Sequence, residues 1–139
     1  MKNLAIYTAF LFLMNFGFSQ EVKGQNITVT IDNVLSNEGK VLLSLHTTDT
    51  FMKGPGIQNL ESTIIDGKVS FTFENVAKGE YAIMALHDAN DNKQMDFQTN
   101  GMPKESYGMS GNEMSFGPPN FGDAKFEIKD EDVSFIIRF

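Results

Sequence analysis

From His87 to Asp96 the chain reads HDANDNKQMD, which puts side-chain oxygens of Asp88, Asn90, Asn92 and Asp96 at relative positions 1, 3, 5 and 9. Gln94, at position 7, can add its backbone carbonyl. A hard divalent cation takes six to eight oxygens, and alternate residues of a curling loop can converge on one point while their neighbours turn away. This is the ligand rhythm of a calcium loop. Two positions depart from it: Lys93 stands at position 6, where a sharp turn favours Gly, and Thr99 stands at position 12, where a bidentate Glu completes the shell. Glu105 is the nearest downstream carboxylate that could supply the missing oxygens. Asp and Asn make up 21 of the 139 residues. The pattern therefore arises by chance about 3% of the time over the chain, but about 10% of the time for a start inside the Asx-rich stretch 88–100. A calcium site and an ion-free framework of Asx turns both stay open at this point.

Other chemistries have weaker support. His87 and His46 each end an apolar segment, but zinc needs three or four convergent ligands and the chain has no cysteine, so hydrogen-bonded structural histidines are expected. An enzymatic alternative is a small hydrolase using His87, Asp88 and Glu105 as acid–base groups. No nucleophile elbow of the form GxSxG and no phosphate-cradling glycine loop accompanies it. Met95, Met102, Met109 and Met114 are thioethers that could bind cuprous ion, yet they alternate with aromatics as packing residues do. Tyr107, Phe116 and Phe121 could form an aromatic strip of a carbohydrate-binding module.

These residues need a scaffold, and its periodicity is two. In NITVTID, Ile27, Val29 and Ile31 share one face, and in KVLLSLHT, Val41, Leu43 and Leu45 do the same. LESTII and KVSFTF flank Asp66-Gly67, a primed-turn signal that predicts a hairpin. EYAIMALH is apolar on both faces, as a central strand requires, and DAKFEIK and VSFIIRF close the chain. Seven strands at this spacing predict an all-β, antiparallel Greek-key sandwich with Val29, Ile31, Leu43, Leu45, Val69, Phe71, Phe73, Ile83, Phe126, Ile128, Phe135 and Ile137 inside. The stretch 88–122 is long for a connection and rich in Met, Phe and Tyr, so it is expected to fold as a flap on the sandwich.

Residues 4–18, LAIYTAFLFLMNFGF, form a charge-free apolar run behind Lys2, followed by small residues suited to an export peptidase. Residues 1–19 are expected to be a signal peptide and 20–139 a single domain, periplasmic or secreted, with no stable membrane insertion once the signal is removed. Losing Lys2 takes the formal charge from −7 to −8, which argues against nucleic acid and anionic lipid as partners and favours cations. A small molecule, a glycan or a protein remains as partner class.

The segments FENVAKGEYAIMALHDANDNKQMD, GMPKESYGMS and GPPNFGDAKFEI together resemble the small exported bacterial proteins grouped as domain of unknown function 2141. Phe73, Asn75, Gly79, Tyr81, His87, Asp88, Asn90, Asn92, Asp96, Gly101, Pro103, Glu105, Gly108, Ser110, Pro118, Pro119, Phe121 and Ala124 occupy its motif positions, across roughly residues 26–139. The resemblance implies export, small size and an all-β fold. FENVAKGEYAI is also similar to a strand–turn–strand signature of transthyretin-like and carboxypeptidase-regulatory-like sandwiches, relatives of the immunoglobulin-like architecture, whose roles are mainly structural or binding. At Lys93 the chain departs from the family's usual Gly.

Overall fold

The computed structural model describes residues 21–113 and 117–139. The expected signal peptide and cleavage point, and Met114 and Phe116, lie outside the described residues. Among the described residues eight strands form: β1 (Gln25–Ile31), β2 (Lys40–His46), β3 (Gln58–Ser62), β4 (Val69–Val76), β5 (Gly79–Asp88), β6 (Tyr107–Met109), β7 (Phe126–Ile128) and β8 (Val133–Ile136). One short helix, α1 (Phe121–Ala124), precedes β7. The strands make a three-stranded sheet in the order β4-β1-β8 and a five-stranded sheet in the order β3-β2-β5-β6, with β7 also paired to β5.

Alternation explains the core. Ile27, Val29 and Ile31 of β1, Val69, Phe71 and Phe73 of β4, Val41, Leu43 and Leu45 of β2, and Ile83 and Ala85 of β5 are all buried in one cluster shared by the two sheets. Each large side chain so buried contributes about 1.5–3 kcal/mol of transfer free energy, which holds the sheets face to face. Ten of the twelve residues expected inside are buried, and Phe126 and Phe135 are half-buried against the same cluster, their rings 4.5 Å apart. β5 carries apolar residues on its second face too. There Ala82 and Met84 meet Phe51, Met109, Ala124 and Phe121 in a smaller cluster on the outer side of the five-stranded sheet.

Three features of the predicted sandwich change. The strand count is eight because Tyr107–Met109, expected inside the flap, pairs with Met84–Leu86 of β5. The sheets are not wholly antiparallel, since β8 runs parallel to β1. The Asp66-Gly67 turn forms with both residues at positive φ, 52° and 70°, but it closes only the single bridge Ile65–Lys68. Its flanking strands then part, β3 joining β2 and β4 joining β1. The reason lies in the turn's own backbone: Gly67 donates its N–H to Asn37 Oδ1 and accepts from the Val34 N–H. These bonds make the turn a corner between sheets instead of the end of a hairpin.

The β4–β5 corner shows why FENVAKGEY has its form. Asn75 adopts a positive φ of 54° and accepts the Gly24 N–H on Oδ1, and the Tyr81 hydroxyl donates to the Ala77 carbonyl four residues back at 2.8 Å. Such a tyrosine corner fixes the angle at which the chain enters the next strand. It aims β5, and with it Asp88, at the far end of the sheet.

Candidate functional site

β5 ends at Asp88, whose side chain is fully buried. Gly39 makes this end possible, because a Cβ at Gly39 would lie 2.0 Å from the Asp88 carbonyl oxygen, closer than any real contact. The chain beyond Asp88 then curls back on its carboxylate: Oδ1 accepts the Asn92 N–H at 3.1 Å and Oδ2 accepts the Lys93 N–H at 2.7 Å. Asn90 Oδ1 also reaches the Asn92 N–H, and Asn92 Oδ1 accepts the Gln94 N–H, two successive Asx turns. Asp91 and Lys93 take up left-handed backbone, φ 55° and 63°. The turn for which Gly is usual at position 6 is therefore made here by a lysine.

The amide groups of Asn90 and Asn92 both donate to the Asp96 carboxylate, at 2.6 Å and at 3.1–3.2 Å. Glu105 spans the loop's two ends, accepting the Ala89 N–H on Oε1 at 3.1 Å and the Asp96 N–H on Oε2 at 3.2 Å. The Lys104 N–H adds a bond to the Asp96 carbonyl. Asp88, Asn90, Asn92, Asp96 and Glu105 thus meet in one hydrogen-bonded cluster, and exposed Gln94 joins it through its N–H. Among the described residues, no ion pair engages Asp88, Asp96 or Glu105. Their recorded donors are all neutral N–H groups.

The same geometry limits what the cluster can hold as drawn. Among the described residues no three His, Asp or Glu side chains surround a common point fit for a metal ion. The side-chain oxygens form an Asx-turn framework, and a cation would need the Asn90 and Asn92 amides to rotate and present oxygen. Carboxylate and amide oxygens that accept one N–H keep a second lone pair, so the oxygen set is compatible in chemistry with a hard cation.

His87 and Asp88 are adjacent in a strand and so face opposite sides of it. His87 Nε2 is 2.9 Å from the Glu38 carbonyl, and the ring stacks on Phe139 with centroids 6.3 Å apart. The structure does not bring His87 to Asp88 and Glu105, so the acid–base trio is not assembled. His46 is likewise buried at a strand end, with Nδ1 3.2 Å from Thr50 Oγ1 and its ring edge-on to Phe51. Phe121 packs edge-to-face on Phe51 and does not line up with exposed Tyr107 as an aromatic strip.

The methionines divide. Met109 is buried against α1, whereas Met102 and Phe97 are exposed on a tight hairpin closed by Gln98 and Met102, so the flap covers less of the sandwich than its composition implies. Ser110 is a fully buried hydroxyl with a structural task, accepting the Ile83 N–H and donating to the Ala124 carbonyl.

A group that sequence reasoning did not find lies beside the cluster. Glu61 of β3 accepts from Lys40 Nζ at 2.8 Å and from Lys93 Nζ at 2.9 Å. The Lys40 hydrogen bond, and next that of Lys93, hold the Glu61 carboxyl down to about 2, while Glu61 and then Asp91 raise Lys40. Glu61 and Lys93, with Leu42, Ser44, Pro55, Asn59 and Leu60, line an open groove of about 520 Å³.

A family model described as "Uncharacterized protein conserved in bacteria (DUF2141)" matches residues 29–135. The chain belongs to this family, as its three linked motifs imply. It matches no curated protein and no solved structure.

Proposed function

We propose that this member of an uncharacterized bacterial family is an exported, non-enzymatic β-sandwich module whose 88–96 loop takes up a calcium-type cation. The observation that carries the reading is the gathering of three carboxylates, Asp88, Asp96 and Glu105, and two amide side chains at the end of β5, with neutral donors and no ion pair among the described residues. A buried carboxylate such as Asp88 is ordinarily paired or bound to metal, and here its recorded donors are neutral backbone N–H groups, which leave its charge without a cationic partner. Positive φ at Lys93 supports the reading further, because it gives the turn that position 6 of a calcium loop requires. Export is supported by the apolar run 4–18.

The test uses protein recovered from the extracytoplasmic fraction of its native host, where the chain should begin near Gln20, purified without chelator and analysed for metal. With a dissociation constant near ~10⁻⁴ M, typical of extracellular modules, calcium at ten times that concentration should add RT ln 11, about 1.4 kcal/mol. That corresponds to about 4–8 °C in melting temperature. Magnesium should do less, because its small octahedral shell suits a long loop poorly. Asp88→Ala or Asp96→Ala should abolish the increment, and Asp91→Ala should leave most of it. Equal melting in calcium and in chelator would leave the Asx-turn framework as the whole account of the loop.

A further inference from the structure

Four charges run in alternation from the 88–96 loop to the sheet and back. Asp91 Oδ1 is 4.0 Å from Lys40 Nζ, Lys40 Nζ is 2.8 Å from Glu61 Oε1, and Glu61 Oε2 is 2.9 Å from Lys93 Nζ. Both ends of this chain, Asp91 and Lys93, are the loop residues in left-handed backbone. That conformation is disfavoured for any residue with a Cβ, and Lys has none of the local hydrogen bonding that lets Asn or Asp adopt it. The two middle members belong to neighbouring strands, since Leu42 of β2 pairs with Glu61 of β3 and Lys40 pairs with Asp88 of β5.

We propose that this alternating chain is a clasp, in which Lys40 and Glu61 hold the left-handed turn of the 88–96 loop through Asp91 and Lys93. Lys93 is the positioning residue, because it is gripped at both ends: its N–H donates to Asp88 Oδ2 and its ammonium to Glu61. Releasing the ammonium removes the tether on the φ angle that aims the N–H at Asp88. The Lys40 hydrogen bond, and next that of Lys93, hold the Glu61 carboxyl below its usual range. Salt opens it, because the Lys93 and Glu61 side chains are 63% and 40% exposed. The clasp goes beyond the cation reading and does not depend on it. It shapes the loop before any ion arrives, and where an ion does bind, a loop already turned at Lys93 binds it more tightly.

Hydrogen exchange of the full-length mature protein in chelator tests this with or without a cation site. Glu61→Ala and Lys93→Met should each speed exchange of the Asn92 and Lys93 amides by about two- to fivefold. The double variant should go no further than either single one. Strand amides such as Ile83 should not change. Raising salt from about 0.05 to 1 M should do the same to the wild-type chain, a measurement that needs no variant, and should do nothing more to Glu61→Ala. Loop amides that ignore both substitution and salt, or strand amides that accelerate equally, would overturn the clasp. Absence of a calcium increment in the wild type would overturn only the cation reading.

Discussion

Phe73 and Leu43, between the sheets, are shut off from water among apolar side chains, and Asp88, at the end of β5, is shut off just as fully among N–H donors and other oxygens. The first region is held by area and shape. It tolerates no gap, and it contains no charge for salt to screen. The second is held by directed hydrogen bonds and a nearby chain of ion pairs, so each donor or charge removed is felt individually. Among the described residues every buried side-chain nitrogen and oxygen has a partner. The loop can therefore be buried at its root without penalty, yet it depends on far fewer interactions than the core.

The largest break in that contrast is Phe73→Ala. It should cost about 3–5 kcal/mol in denaturant unfolding, because an aromatic side chain with 0% exposure leaves a cavity that rigid β neighbours cannot fill. The loss should be the same in chelator and at high salt. A salt-dependent loss would mean that core and loop are not separate in energy.

Asp88→Ala should come next, at about 1–3 kcal/mol in the ion-free protein, since it strands the Lys93 N–H and weakens the hold on the Asn92 N–H. Asp88→Asn, which keeps an acceptor, should cost less. Equal losses for the two substitutions would show that the carboxylate's charge, and not its acceptor geometry, holds the loop.

The smallest effect should come from pH at His46, on the outer cluster. Burial lowers its pKa, opposed in part by the Thr50 hydrogen bond. The unfolded chain therefore binds a proton more readily than the folded one in the window below the ordinary value of about 6.5. Stability is full above that value and falls as pH drops through it. Melting temperatures measured between about pH 7.5 and 5 should decline, and His46→Gln should flatten the decline. An unchanged slope in that variant would place the titrating group elsewhere.

Much of this was legible in residue order. Alternation in NITVTID and KVLLSLHT assigned the inner faces, because successive side chains in a strand must point to opposite sides whatever the neighbours are. The double-faced run EYAIMALH marked β5 as central, and the oxygen spacing after His87 marked Asp88, Asn90, Asn92 and Asp96 as residues that meet. Glu105 stood out as the nearest downstream carboxylate, and it accepts N–H groups at both ends of the loop. Those readings rest on local geometry, which needs no partner to be known.

The tertiary structure decided what local geometry leaves free. Period two says which face is buried but not which strand lies alongside, so the parallel β1–β8 pair was not legible, and the parting of β3 from β4 at Asp66-Gly67 goes with the bonds of Gly67 to Asn37 and Val34. Likewise, Lys93 at a position favouring Gly read as a defect while its partner was unseen. Glu61, thirty-two residues away in the chain, gives the ammonium its partner, and only the pairing of β2 with both β3 and β5 brings the two together. A strained backbone angle is stable only where surroundings over-determine it, and those surroundings are assembled by the fold.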